Sequence, residues 1–196
     1  MRSFLHSSKT VILRCLALLA TGALHAAPVI NEIHYNNDLN YIATEFIELH
    51  NPGPEAVALS GWKLAGGIDF TFPENSLLEA GAYVVVAENP AILRSEFSSP
   101  TGGLRVVGPY AGGLSGEGET IELIDNSGER IDRVSFDIDF PWPIAADGAG
   151  SSMELIHPDL DNDLGSSWRS SSNNGALGPP TPSAANSVYN TVAPPN

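Results

Sequence analysis

Hydrophobic and polar residues alternate with a period of two in short runs over much of the chain. In one such run Ile121 and Leu123 share one face, whereas Thr120 and Glu122 share the other. This pattern is typical of strands that are half-buried in an antiparallel sheet with one solvated face. The run 45–49 alternates in the same way, so we expect each sheet to turn one face to the solvent.

Turns rich in Gly, Pro and Asn separate these runs, which predicts a sandwich or barrel of antiparallel strands. The clearest hairpin has its turn at 125–129, where Gly128 can adopt the positive φ that such a loop requires. Only residues 90–97 are predicted to be helical, with Asn89 as the cap and Pro90 at the first helical position. The predicted strands are 29–35, 44–50, 55–59, 68–72, 82–88, 104–107, 119–124, 130–136 and 152–156.

The first 26 residues have the pattern of a signal peptide. Arg2, Lys9 and Arg14 precede an apolar run at 15–24, and small residues follow it. Because a membrane-spanning helix needs about 20 apolar residues, we predict cleavage after Ala26, with an uncleaved helix as the alternative. No second hydrophobic span occurs in the sequence, so we expect a periplasmic or secreted product without a transmembrane anchor.

Removal of this leader makes the chain more acidic. It leaves six Lys and Arg residues against 23 acidic residues, a net charge of −17 (6 minus 23), and it removes Cys15, the only cysteine. The exported chain would therefore have no disulfide and no cysteine ligand for a metal. Its charge disfavours nucleic acid as a partner, because phosphates repel an acidic surface.

The composition becomes polar after Pro158, with many Ser, Asn, Gly and Pro residues and almost no apolar periodicity. We therefore predict that residues 28–158 form the domain. Residues 159–196 are predicted to form an extended and partly disordered tail, with Trp168 as its one point of attachment to the domain.

Six short fragments, in order along nearly the whole exported chain, are similar to one family. They are VINEI at 29–33, EFIELHN at 45–51, LSGWKL at 59–64, LEAGAYVVV at 78–86, GETIEL at 118–123 and TPSAAN at 181–186. On these fragments the chain resembles the lamin tail domain in its bacterial secreted form. The resemblance implies an all-β fold, an immunoglobulin-like antiparallel β-sandwich, and a module without catalytic activity. It also implies adhesion or tethering, although such modules are often fused to exported hydrolases or nucleases and this sequence shows no catalytic domain.

Asp159, Asp161 and Asp163 form a D-x-D-x-D run whose spacing suits the oxygen ligands of Ca²⁺. In an EF-hand loop the sixth position is Gly and the twelfth is Glu, whereas this run has Leu164 and Ser170 there. A solvated acidic loop in an acidic protein is the simpler interpretation. Calcium is nevertheless the one cofactor that the sequence suggests, because extracellular calcium favours binding even at weak sites.

Two Glu-x-His pairs, Glu32 with His34 and Glu48 with His50, each place both side chains on one face of a predicted strand. If these strands were neighbours, two imidazoles and two carboxylates could meet around zinc. Histidines at the ends of strands are the simpler interpretation, because nothing in the sequence fixes the register.

No sequence motif supports an enzyme. Ser60-Gly61-Trp62-Lys63 matches the S-x-x-K pattern of acyl-transfer enzymes, but its Gly and Trp do not favour the helix that this pattern requires. The sequence therefore predicts a protein that binds a partner and catalyses no reaction.

The apolar, proline-containing loop at 139–143 is the predicted binding surface, and a loop folded onto the end of the sandwich is its alternative. Phe140 and Trp142 are its candidate ligand-binding residues, together with Tyr110 as a further aromatic residue. The leading prediction is an exported interaction or adhesion module that binds a protein or a cell-envelope component. The alternative is a carbohydrate-binding module in which these aromatic residues stack on sugars, with calcium as an additional ligand.

Overall fold

The computed structural model of the chain describes residues 27–36, 43–97 and 103–193, and the predicted signal peptide lies outside them. Within these ranges no helix is both long and apolar enough to cross a membrane. Strands dominate, with one helix, α1 (Pro90–Glu96), and short 3₁₀ turns at Ile144–Ala146 and Gly165–Ser167. The strands are β1 (Val29–His34), β2 (Phe46–His50), β3 (Val57–Ala58), β4 (Lys63–Gly66), β5 (Ile68–Thr71), β6 (Leu77–Leu78), β7 (Tyr83–Ala87), β8 (Val106–Val107), β9 (Ala111–Gly112), β10 (Glu119–Ile124), β11 (Arg130–Phe136), β12 (Met153–Leu155), β13 (Trp168–Ser170), β14 (Ser172–Asn173) and β15 (Ala176–Leu177).

The longer strands form two sheets. Sheet one has six strands in the order β13-β12-β1-β2-β7-β8, and sheet two has five in the order β11-β10-β4-β5-β9. β7 and β8 pair in parallel, whereas the other neighbours in these two sheets are antiparallel. Apolar side chains from both sheets pack into one core, so the predicted antiparallel β-sandwich is confirmed.

Two local predictions are confirmed residue by residue. β10 and β11 form the predicted hairpin, in which Asp125 accepts hydrogen bonds from backbone N–H groups of the turn and Gly128 has a φ of +90°. Helix α1 begins at Pro90, and the side chain of Asn89 caps it by accepting two backbone hydrogen bonds. Both features depend on residues that are close in sequence, which is why the sequence predicts them well.

The sequence did not predict β4, although this strand lies in the middle of sheet two between β10 and β5. At its end, Gly66 has a φ of +119°, and a Cβ at this position would lie 2.0 Å from the carbonyl oxygen of Thr120. Only glycine permits this close approach of the two backbones. Lys63 is the first residue of β4, so the S-x-x-K match at Ser60 lies on a turn and a strand instead of the helix that acyl-transfer chemistry requires.

The prediction that each sheet has one solvated face is wrong for sheet one. All five residues of β2 are buried, including Phe46 and Glu48, which point away from the central core. Helix α1 covers part of this outer face, where Phe46, Val85 and Leu93 belong to a second apolar cluster. The C-terminal part of the chain covers another part and reaches Glu48.

The structure also differs from the predicted tail at 159–196. Trp168 is fully buried in the core, and β13 extends sheet one by pairing with β12. The indole Nε1 of Trp168 donates a hydrogen bond of 2.8 Å to the carbonyl oxygen of Asn162. A single buried aromatic residue and polar hydrogen bonds fix this segment, and neither produces the apolar periodicity that marks a strand in a sequence.

Candidate functional site

The loop between β11 and β12 carries the most exposed large hydrophobic side chain of the described residues. In this loop, residues 139–145, Phe140 is 90% exposed and Ile144 is 69% exposed. Trp142 between them is buried, and its ring centroid lies 6.4 Å from that of Trp168. Trp142 therefore anchors the loop in the core, while its two apolar neighbours face the solvent. We call residues 139–145 the apolar loop.

A groove of about 420 Å³ lies beside the apolar loop. Its opposite wall is formed by Ser166 and by β13. Gly165, next to this wall, lies close against the backbone of the apolar loop. Only glycine permits this approach, because a Cβ there would lie 2.9 Å from the backbone nitrogen of Trp142. The apolar loop is therefore tightly packed against the segment that forms the other wall of the groove.

The groove has an apolar lining and acidic surroundings. Arg169 is the only charged residue in its wall, and its guanidinium donates to the carbonyl oxygens of Ser166 and Trp168. Three exposed aspartates, Asp137, Asp139 and Asp147, lie in or next to the apolar loop in the sequence. A ligand in the groove would meet mainly apolar side chains, in a part of the chain whose neighbouring exposed residues are acidic.

The three residues predicted to bind a ligand do not form one exposed set. Phe140 and Trp142 both line the groove, but Trp142 is only 9% exposed. Tyr110 is 7% exposed and lies outside the groove wall, where its hydroxyl donates a hydrogen bond of 3.2 Å to Glu45. Burial and the negative charge of Glu45 raise the pKa of Tyr110. The carbohydrate-binding alternative stays a prediction, and of these three residues only Phe140 presents its ring for stacking.

The aspartates of the D-x-D-x-D run face different partners. Asp163 forms an ion pair with Arg133, and Asp159 lies 3.7 Å from the ring of His157. Asp161 accepts a hydrogen bond of 3.0 Å from the backbone nitrogen of Asp163. Among the residues that the structure describes, no group of three or more His, Cys, Asp or Glu side chains is arranged to hold a metal ion. The solvated acidic loop stays the prediction for this run, with calcium binding as its alternative.

The hypothesised zinc site of two histidines and two glutamates does not form. β1 and β2 are neighbours, as the hypothesis required, but their register places Glu32 directly opposite Glu48. His34 and His50 lie opposite apolar residues at the two ends of the strand pair. The antiparallel register therefore separates the two imidazoles.

The same register assembles three buried carboxyl groups on the outer face of sheet one. Glu32 lies opposite Glu48 on one side and opposite Glu154 on the other. All three residues have an exposed fraction of 0%. None of the salt bridges found in the described part of the chain involves them. We call these three residues the glutamate triad.

Residues 181–188, which we call the C-terminal strap, cover the glutamate triad. The strap binds the carboxyl groups through three backbone N–H groups and two hydroxyl groups. These hydrogen bonds run from Thr181 N to Glu32 (2.9 Å), from Thr181 Oγ1 to Glu154 (2.7 Å), from Ser183 N to Glu48 (2.5 Å), from Ser187 Oγ to Glu154 (2.6 Å) and from Val188 N to Glu154 (3.2 Å).

Asn186 fixes the middle of the strap. Its side-chain amide donates to the carbonyl oxygens of Asn31 and Leu155, at 3.0 and 2.8 Å. Its Oδ1 accepts a hydrogen bond of 2.8 Å from the side chain of Asn31, which also donates to Glu48. Asn186 is almost fully buried, so the strap is an integral part of the folded domain.

Burial raises the pKa of every member of the glutamate triad. For Glu32 it raises the pKa from 4.5 to about 8, and the negative charge of Glu154 adds to this effect, whereas hydrogen bonds from Ser152 and Thr181 oppose it. The pKa of Glu48 is raised well above its ordinary value by burial and by the charge of Glu32, and burial raises that of Glu154. Burial and the repulsion between the carboxylates therefore favour the protonated form within the triad.

Sequence reasoning found two members of the triad but not the site. The Glu-x-His pairs pointed to Glu32 and Glu48 on one face, but Glu154 and the strap are distant in sequence. Ile144 was also missed, since it lies one residue beyond the predicted loop. For the strap, the available signal was the fragment TPSAAN at 181–186. It belongs to the family resemblance although it lies in a segment that was predicted to be a tail.

The comparisons with known proteins agree with the fold. The family model of the Lamin Tail Domain matches residues 23–137, more than half of the chain. No curated protein matches the chain. The matched region includes β1 to β11, with Glu32 and Glu48, and it ends before the apolar loop, Glu154 and the strap.

Proposed function

The chain belongs to the lamin tail domain family of non-enzymatic, immunoglobulin-like interaction modules, and we propose that it is an exported module that binds a protein of the cell envelope or surroundings through its apolar loop. Export is inferred from the signal-peptide pattern of residues 1–26. The apolar loop lies outside the region that the family model matches, so the proposal rests on the geometry of this chain.

The exposure of Phe140 is the observation that carries this proposal. A side chain of this size that is 90% exposed on a rigid loop keeps a large apolar area in water, which favours burial against a partner. Ile144, at 69% exposed, continues the same surface. Trp142 holds the loop in place, so binding would cost little conformational entropy.

Charge defines the partner further. Asp137, Asp139 and Asp147 are exposed around the apolar loop, and the chain without its leader has a net charge of −17. A partner with Lys or Arg residues around an exposed apolar side chain would complement this arrangement. We therefore expect a basic protein surface, and we expect its binding to weaken as salt is added.

The test compares two matched variants in a binding assay. The full chain is immobilised and incubated with the envelope fraction of the producing cell, and retained protein is quantified. The double variant Phe140→Ser with Ile144→Ser should retain about tenfold less, because exposed aromatic and aliphatic anchors dominate such interfaces. Leu177→Ser is the control, since Leu177 is 59% exposed but lies on the β14–β15 hairpin.

Two outcomes would contradict the proposal. One is equal retention by the double variant and the unchanged chain, and the other is equal loss in both variants. Protease or glycosidase treatment of the envelope fraction separates the two functions. Loss of retention after protease treatment supports a protein partner, and loss after glycosidase treatment alone supports the carbohydrate-binding alternative.

A further inference from the structure

The hydrogen bonds of the glutamate triad leave one oxygen without a donor. Both carboxyl oxygens of Glu48 and of Glu154 accept hydrogen bonds. Glu32 accepts two at Oε1, from Ser152 and from the strap, but its buried Oε2 has no partner among the described residues. A buried oxygen without a partner costs much more free energy on an ionised carboxylate than on a neutral, protonated carboxyl. The geometry at Glu32 therefore fits the protonated form.

The charged and titratable groups around Glu32 do not compensate a negative charge there. Its neighbours across both strand pairs are Glu48 and Glu154, so ionisation of Glu32 would bring like charges together. Arg169 lies opposite Glu154 on β13, but it is exposed and its guanidinium donates to backbone carbonyl oxygens. Arg105 contacts the strap at Ser183 through its backbone nitrogen, but its guanidinium donates to the carbonyl oxygen of Leu77. The other titratable residues near this face are His34 on β1, His50 on β2, Tyr83 on β7 and Tyr189 after the strap.

Polar contacts dominate the attachment of the strap, in which Pro182 and Asn186 are the buried residues. Neither apolar core cluster includes any of the residues 178–193 among those described. Its attachment consists of hydrogen bonds to the triad, of the contacts of Asn186 and of two further hydrogen bonds. In these two, Ser183 Oγ accepts from the backbone nitrogen of Arg105, and Ser187 Oγ accepts from that of Ser172. Segments held mainly by polar contacts open at a lower free energy than the global unfolding of the domain.

We propose that the C-terminal strap is a proton-dependent latch, which closes over the glutamate triad while Glu32 carries a proton and loosens when that proton is lost. Loss of the proton leaves an uncompensated charge beneath the strap, and opening gives that charge access to water. The latch thereby couples the pH of the surroundings to exposure of the outer face of sheet one. This inference is independent of the apolar loop and of its partner.

Hydrogen exchange resolved by residue tests the latch in the full chain. After correction for intrinsic exchange, protection of the amides of Thr181, Ser183 and Val188 should fall by nearly tenfold per pH unit between about pH 5 and pH 8. In Glu32→Gln, which mimics the protonated carboxyl, most of this dependence should disappear. Glu119→Gln is the control and should keep the slope of the unchanged chain, since Glu119 lies on β10 in the other sheet.

Three results would overturn the proposal. The first is strap protection that does not change with pH, and the second is an equal slope in Glu32→Gln. The third is the same slope at amides in the middle of β2, which would indicate opening of the whole domain. If Glu32→Gln does not fold, infrared spectroscopy of the unchanged chain decides. The carbonyl band of a protonated carboxyl must disappear in step with strap protection, and its absence near pH 6 would also refute the latch.

Discussion

Replacing Glu32 with glutamine removes one titrating group from the glutamate triad and keeps the shape of the side chain. Glutamine can still accept at its oxygen the hydrogen bonds that Ser152 and Thr181 donate. It cannot ionise, so it resembles the protonated carboxyl at every pH. The variant therefore isolates the contribution of this proton to the stability of the whole domain.

The sign and size of the effect follow from the pKa of Glu32. The folded protein raises this pKa from 4.5 to about 8, so the folded state holds the proton more tightly than the unfolded state. The stabilising contribution is complete below about pH 4.5 and is lost as the pH rises through about 8. Between pH 5 and pH 8 it decreases by about 3 kcal/mol, because one pH unit inside the window corresponds to about 1.4 kcal/mol and the dependence flattens near both pKa values.

Urea unfolding at pH 5 and at pH 8 measures this contribution. The free energy of unfolding of the unchanged chain should decrease over this interval, and that of Glu32→Gln should decrease by about 3 kcal/mol less. Both proteins keep Glu48 and Glu154, whose raised pKa values act in the same direction, so the difference between the proteins is the informative quantity. Glu122→Gln on β10 is the control and should follow the unchanged chain.

Parallel pH dependence in the unchanged chain and in Glu32→Gln would refute this reasoning. It would mean that Glu32 is ionised in the folded protein at neutral pH. A smaller dependence in Glu122→Gln than in Glu32→Gln would also refute it, because the effect would then not belong to the triad.

Three further predictions concern other parts of the fold. Gly66→Ala should lower the free energy of unfolding by about 3 kcal/mol, because this position has a positive φ and the new Cβ clashes with the backbone of Thr120. Gly81→Ala, with a positive φ but open space around it, should lower it by about 1 kcal/mol, and urea unfolding distinguishes the two. Asn89→Ala should cost about 1 kcal/mol and speed hydrogen exchange in α1, because it removes the cap; unchanged exchange would contradict this. Millimolar calcium should leave the Tm unchanged, since Asp163 is already ion-paired, and a shift that Asp161→Ala abolishes would contradict this.

The sequence predicted the elements that are determined by neighbouring residues. The cap at Asn89 and the turn at Gly128 have local causes, and the structure confirms both. β4 could not be predicted in this way, because residues 63–66 include small side chains and form a strand only through pairing with β10 and β5. The position of Trp168 likewise depends on its pairing with β12.

The candidate sites likewise include features that neighbouring residues determine and features that depend on how distant strands pair. The sequence placed Phe140 in a candidate binding loop, and the structure shows its side chain exposed, while its role in binding stays a prediction. Glu32 and Glu48 were placed on one face of their strands by the period of two, but their meeting depends on the strand register. The contact of Glu154 with Thr181 depends on the folded path of the C-terminal segment, which the polar composition of that segment concealed.

Site-specific photo-crosslinking in the producing cell tests the proposed function most directly. A photoreactive phenylalanine analogue replaces Phe140 in the full chain, and the same analogue replaces Leu177 in the control. We expect a discrete protein adduct from position 140 that weakens as salt is added before irradiation, and no such adduct from position 177. The absence of an adduct at position 140, or the same adduct from both positions, would contradict an interaction module that uses the apolar loop.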